Sequence, residues 1–229
     1  MPQQSHHPIL SPTLPEKHRC WASDVIAVTG SIGSGKSTFC GFLEELGAVV
    51  VYADAICHEL LAGDVEVVRA LQQLCGPQIL NQIDGAVSRE TLRQFTLHSR
   101  ENADRVEAIL RPRIMEGCSR RVQEAASAGR FPIFVELPLL FERDLDQLGF
   151  LSTVVVATTD ANCVERVAQR GGISAQQVKA ILEMQLPVAE KVRRADAVIT
   201  NDHDIEALRQ KALDLVSRLR AVSPERLAR

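Results

Sequence analysis

Two rhythms of apolar residues alternate along this chain. The first is a short unbroken run: Val25–Ile26–Ala27–Val28, Ala48–Val49–Val50–Val51–Tyr52, Ile133–Phe134–Val135–Glu136–Leu137, Thr153–Val154–Val155–Val156–Ala157 and Ala197–Val198–Ile199–Thr200. Short runs rich in β-branched residues, without polar alternation, suit strands buried on both faces of a parallel sheet. The second rhythm is helical. Phe39, Phe42, Leu43 and Leu46 fall at i, i+3, i+4 and i+7 before Gly47, a natural stop. Ile205, Leu208, Ala212, Leu215 and Leu219 step by threes and fours, which predicts a core-packed helix rather than a coiled coil. Strand, helix, strand reads as a parallel βαβ unit, so the fold class is α/β, with a five-stranded parallel sheet and helices on both faces.

About 75 residues of helical character separate the second and third runs, more than a crossover requires. Within them Val106, Ile109, Leu110 and Ile114 keep helical spacing across Pro112, which predicts a kink or break near Leu110 and Arg111. Residues 1–22 carry Pro2, Pro8, Pro12 and Pro15 among Ser, Gln and His and read as a disordered extension. His6, His7 and His18 have no scaffold there to make them metal ligands. Residues 23–229 then form one domain, with an insertion at 58–126 and a lid at 163–190.

At 229 residues, 45% hydrophobic and 24% charged, the chain can bury a sizeable core, which excludes disorder along the whole length. A net charge of −3 gives no general drive toward nucleic acid or an anionic membrane, so any phosphate affinity must be local. The six cysteines (Cys20, Cys40, Cys57, Cys75, Cys118, Cys163) contain no close pair, and read as buried or idle thiols in a reducing cytosol. The start lacks a secretory signal, and no stretch approaches the roughly 18 apolar residues of a membrane span. The expected location is cytoplasmic.

Local phosphate affinity has an obvious seat. Gly30–Ser31–Ile32–Gly33–Ser34–Gly35–Lys36–Ser37 satisfies the P-loop pattern G-x-x-x-x-G-K-[ST] between a predicted strand and a predicted amphipathic helix. Glycines let backbone N–H groups turn toward phosphate oxygens, and the helix N-terminus adds partial positive charge. Lys36 reaches the outer phosphates and the Ser37 hydroxyl coordinates Mg²⁺. The guanine-reading NKxD string is absent, which argues against a GTPase switch.

A phosphoryl-transfer kinase must bring an acceptor hydroxyl in line with the γ-phosphate. Asp54 follows the second run, at the strand end where open α/β sheets bind ligands, and is the candidate base. Its alternative is to cap the next helix. Residues 163–194 hold Arg166, Arg170, Lys179, Lys191, Arg193 and Arg194 against three acidic residues. Arg170 precedes Gly171–Gly172, a helix stop and hinge, and Ser174 to Gln177 reads as a capping box. Helix, hinge, helix suits a closing lid; the alternative is a solvated charged face. Glu136 can hold a Mg²⁺-bound water. Glu142 is expected in a structural hydrogen bond or salt bridge. Asn201 can line the adenine of ATP or make a turn.

Taken together these strings resemble the dephospho-coenzyme A kinase family, from about Val25 to Leu215. IAVTGSIGSGKST, YADAICHELL, LPLLFE (Leu137–Glu142), VERVAQR and MQLPVAEKVRRADAVITN carry the likeness. The resemblance implies a three-layer P-loop kinase fold and ATP-dependent phosphorylation of the ribose 3′-hydroxyl of dephospho-coenzyme A, the last step of coenzyme A synthesis. It places Gly30 to Thr38 (IAVTGSIGSGKST), with Lys36 and Ser37, on ATP phosphates and Mg²⁺. It makes Asp54 the base on the ribose hydroxyl and Arg170 a lid arginine. Pro138, Leu139 and Leu140 shape the acceptor site, and the insertion from about His58 to Ala126 holds the coenzyme A moiety. Ser31 stands where a second glycine is usual, Tyr52 where the first Asp of a DAD string is, and Arg111 where a His precedes proline. Ala180 replaces a second lid arginine, so Arg170 acts alone or is helped by Arg166. The implied partners are two small molecules, ATP and dephospho-coenzyme A, with no nucleic acid and no membrane, in a monomer or small homo-oligomer. The alternatives are a kinase of another small acceptor, such as a nucleotide, and a catalytically impaired nucleotide-binding protein.

Overall fold

All five apolar runs form strands in the computed structural model, which describes residues 25–171 and 173–222. They are β1 (Val25–Thr29), β2 (Val49–Tyr52), β3 (Ile133–Glu136), β4 (Ser152–Ala157) and β5 (Ala197–Thr200). The sheet is parallel throughout, in the order β2-β3-β1-β4-β5. β1 is central, with Val25 opposite Ile133 and Ile26 opposite Ser152. Every residue of β1 and β4 is buried. Because successive side chains point to opposite faces, both faces must be covered, and the lack of polar alternation follows. The edge strands β2 and β5 are partly exposed. Residues 1–22, including Cys20 and the three histidines, and Gly172 of the expected hinge lie outside the described residues.

The chain divides into two compact units. The first comprises residues up to Val51 and from Val122 onward. In it α1 (Lys36–Glu45) follows β1 and buries Phe39, Cys40, Phe42 and Leu43. After β4 come α6 (Asp160–Arg170), α7 (Ala175–Met184) and α8 (Val188–Arg194), and after β5 comes α9 (Ile205–Val222). The α9 stripe is Leu208, Ala212, Leu215, Val216 and Leu219; Ile205, expected in it, occupies the exposed first turn instead. α9 joins α1 through polar ends: Arg209 pairs with Glu45 and lies 4.8 Å over the Phe42 ring. Arg220 donates to the Leu46 carbonyl at 2.8 Å.

The second unit, Tyr52–Arg121, contains α2 (Ala53–Gly63), α3 (Val65–Cys75), α4 (Arg89–His98) and most of α5 (Arg100–Ser127). Its core gathers Leu61, Val67, Leu71, Ile79, Val87 and Leu110. Asp64 caps α3 by accepting the Val67 N–H at 2.9 Å. α5 runs unbroken through Pro112, which corrects the expected break. Proline deletes one backbone donor, while Val106, Leu110 and Cys118 bury apolar surface on either side of it. Arg111 pairs with Glu107 one turn back, at 3.4 Å. Among the described residues, no helix is long and apolar enough to cross a membrane.

Candidate active site

Between β1 and α1 the chain turns on glycines. Gly33 and Gly35 lie at φ +75° and +91°, where L side chains are strained. A Cβ on Gly33 would also come within 2.6 Å of the Cys163 carbonyl oxygen, and one on Gly35 would strike the Asn201 amide. Ser31 shows no such constraint: among the described residues Asp144 is the one non-glycine with positive φ. Serine at that position therefore costs no strain. The Ser34 N–H donates to the Ser31 carbonyl at 3.1 Å, and the Phe39 N–H to the Gly35 carbonyl at 2.9 Å. No acidic residue occupies the first turn of α1, so nothing offsets the positive end of the helix there. Ser37 is exposed on that turn, and Thr38 is half-buried. Lys36 Nζ lies 2.7 Å from Glu136 Oε1 at the end of β3.

Asn201, just past β5, is buried and committed. Its Nδ2 donates to the Ser34 carbonyl at 2.8 Å and its N–H to the Ala157 carbonyl at 2.7 Å. Its own carbonyl accepts from Arg166 Nη2 at 2.9 Å. The side chain thus braces the glycine-rich loop rather than presenting its amide to a base. Arg166 is half-buried, whereas Arg170 is exposed at the end of α6, which Gly171 terminates at φ +73°. The capping box of Ser174 and Gln177 opens α7 as expected. Sequence reasoning missed Gln185: its Oε1 accepts the Ile32 N–H at 3.1 Å. The available signal was its place directly after the second lid helix.

The string Leu137–Glu142 runs beside the loop's strand. The Leu137 N–H donates to the Val28 carbonyl at 2.9 Å, and Thr29 Oγ1 to the Pro138 carbonyl at 3.3 Å. Pro138 is half-buried and Leu139 exposed, but Leu140 is fully buried. Leu140 can therefore shape an acceptor site only by fixing the backbone from the core. Glu142 does make the structural contacts expected of it. Its Oε1 accepts the Leu186 N–H at 3.0 Å and lies 2.7 Å from Lys191 Nζ. Arg194 donates to the Phe141 carbonyl at 3.1 Å, to Asp144 at 3.0 Å and to Asp146 at 2.7 Å. Arg193 pairs with Glu190 on the surface. Two of the six basic residues, Lys191 and Arg194, are thus structural. Lys179 borders a cavity of about 780 Å³ shared with Ser31, Asp160, Glu165 and Glu183.

In the second unit, Asp54 stands exposed in the first turn of α2, and His58 is exposed one turn on. The cap position of α2 is Tyr52, so Asp54 is not its N-cap. Cysteine chemistry plays no part in either unit. Burial pushes the Cys163 thiol up to about 11 and that of Cys118 up to about 12, so both stay protonated at neutral pH. Burial, reinforced by Glu136, raises Cys40 further still.

The family model for dephospho-CoA kinases matches residues 24–207. A dephospho-CoA kinase from Chromobacterium violaceum is 37% identical over 188 residues, covering 82% of this chain and 90% of its own length. One from Salinibacter ruber is 34% identical, covering 83% and 94%. Among solved structures, a Thermus thermophilus protein superposes with a TM-score of 0.71 at 30% identity, covering 85% of this chain and 97% of its own. The Campylobacter jejuni dephospho-CoA kinase gives 0.64 at 26% identity, covering 86% and 96%. With the glycine-rich loop and the LPLLFE string in a parallel 2-3-1-4-5 sheet, the chain belongs to the dephospho-CoA kinase family.

Proposed function

We propose that this enzyme transfers the γ-phosphoryl group of ATP to the ribose 3′-hydroxyl of dephospho-coenzyme A, giving coenzyme A and ADP. The observation that carries this reading is the glycine-rich loop, with Lys36 held 2.7 Å from Glu136 at its mouth, in a chain of this family. Residues 30–38 cradle the phosphates with backbone N–H groups and the α1 terminus. Lys36 exchanges the Glu136 carboxylate for phosphate oxygens, and so arrives with its charge already oriented. Among the described residues no cluster of His, Cys, Asp and Glu could hold a metal by itself. Mg²⁺ therefore comes with the nucleotide: the exposed Ser37 hydroxyl and, through water, Glu136 are the groups that would hold it, and it would neutralise charge on the phosphates.

Asp54 takes the proton of the ribose hydroxyl, and Pro138 and Leu139 line the acceptor's approach. The insertion at 58–126, beginning near His58, holds the coenzyme A moiety. Segment 163–190 acts as the lid, from which exposed Arg170 reaches the phosphates. The enzyme works in the cytoplasm, as a monomer or small homo-oligomer.

The deciding experiment is ADP release from Mg²⁺ and ATP across a panel of acceptors. Dephospho-coenzyme A should be preferred over nucleosides and nucleotides, and preference for a nucleotide would overturn the acceptor assignment. Asp54→Asn should lower kcat by about 10²- to 10⁴-fold while ATP still binds. Loss of ATP affinity with kcat intact would make Asp54 a structural residue.

A further inference from the structure

We propose that Gln185 is a positioning residue for nucleotide binding, one that sets the peptide planes of the glycine-rich loop from the lid side. The inference rests on residues 30–38 being the phosphate cradle. Gln185 ends α7: its N–H donates to the carbonyls of Ile181 and Leu182 at 3.2 and 3.1 Å. Its side-chain oxygen accepts the Ile32 N–H at 3.1 Å. A backbone N–H can be met only by the oxygen end of the amide, so chemistry fixes which way the group points.

The consequence follows from peptide geometry. In a trans peptide the C=O and N–H point in opposite directions. Holding the Ile32 N–H toward Gln185 sends the Ser31 carbonyl the other way, where it accepts the Ser34 N–H at 3.1 Å and closes a turn. The next restraint obeys the same logic. Asn201 Nδ2 draws the Ser34 carbonyl to itself at 2.8 Å and so turns the Gly35 N–H to the opposite side. Two side-chain amides therefore orient the loop before any anion arrives, which lowers the reorganisation that binding requires. Gln185 is itself a fixed point. The following Leu186 N–H donates to Glu142 at 3.0 Å, and Glu142 pairs with buried Lys191.

The test is Gln185→Met, which keeps the length and volume of the side chain but removes the oxygen. The dissociation constant of Mg·ATP, measured by calorimetry without acceptor, should rise roughly 5- to 20-fold. The KM for dephospho-coenzyme A at saturating ATP should stay within about twofold, since that contact lies outside the acceptor's path. Gln185→Glu retains an acceptor oxygen but adds negative charge beside the phosphates. Its defect should shrink as salt is raised, whereas that of Gln185→Met should not. Binding of ATP by Gln185→Met within twofold of the wild type would overturn the proposal. So would parallel losses in ATP affinity, acceptor KM and thermal midpoint, which would mark a merely structural residue. Failure of the wild-type protein to bind ATP would instead sink the cradle reading on which the inference rests.

Discussion

Two lysine–glutamate pairs in the first unit have the same length and different surroundings. Lys36–Glu136 and Lys191–Glu142 each span 2.7 Å. Lys191 has no exposed side-chain surface, and its partner is fixed from another side by the Leu186 N–H. The pair is close in distance, yet the Lys191 ammonium and Glu142 Oε2 find no well-aligned hydrogen bond among the described residues. Lys36 sits at the first position of a helix, beside a glycine-rich turn, and solvent already reaches its side chain. One pair is shut in, and the other can trade its carboxylate for a stronger anion. Access by a competing anion, rather than distance, separates a structural ion pair from a functional one.

The comparison is broken most severely by removing the buried cation. Lys191→Met should destabilise the protein by about 3–5 kcal/mol, because Glu142 is left as an uncompensated charge in the interior. Chemical denaturation reads this directly, and kcat at low temperature should stay within a few-fold of the wild type. Lys36→Met should do the reverse. Loss of a donor to the developing charge should cost about 10²- to 10³-fold in turnover, with little change in the unfolding midpoint, since water can replace the lysine beside Glu136. If both variants lost stability alike, Lys36 would be a structural residue too.

Much of this contrast was legible in the sequence, and the reason is local. The five buried runs and the glycine-rich loop are specified by neighbours in the chain, so periodicity and backbone conformation identify them; the observed strands differ from the runs by a residue at an end. Glu142 could be read as structural because its string was distinctive. The braces could not be read. Gln185 lies 153 residues from Ile32 and Asn201 167 from Ser34, and no local pattern announces a side-chain amide meeting a distant backbone group. Asn201 was for that reason open to an adenine role, and Pro112 to a helix break that buried contacts on both sides prevent.

The lid arginines carry the same comparison at smaller scale. Arg166 is braced to the Asn201 carbonyl, and Arg170 is exposed. Arg170→Ala should lower kcat by about 10- to 10²-fold with at most a few-fold change in ATP affinity, because its charge matters once the site closes and excludes water. Arg166→Ala should instead weaken ATP binding a few-fold by releasing Asn201 from one of its restraints, with the smaller effect on kcat. The opposite ranking would make Arg166 the residue on the transferring group.

The smallest effect separates two adjacent arginines. Arg194 is held by the Phe141 carbonyl, two aspartates and the Phe141 ring, 4.9 Å from its guanidinium carbon. The Asp146 carboxylate raises its already high pKa, so it remains a cation at any working pH. Arg194→Ala should therefore cost about 1.5–3 kcal/mol of stability, the usual range for hydrogen bonds to charged groups, and leave turnover intact. Arg193 makes its ion pair with Glu190 one turn back on the exposed face of α8. Such pairs are screened by solvent and exchange readily for water. Arg193→Ala should shift neither the thermal midpoint nor turnover measurably. A fall in kcat for Arg193→Ala alone would place that arginine, rather than Arg170, on the migrating phosphoryl group, and would mean that α8 swings much further during turnover than the contacts of Lys191 and Arg194 allow.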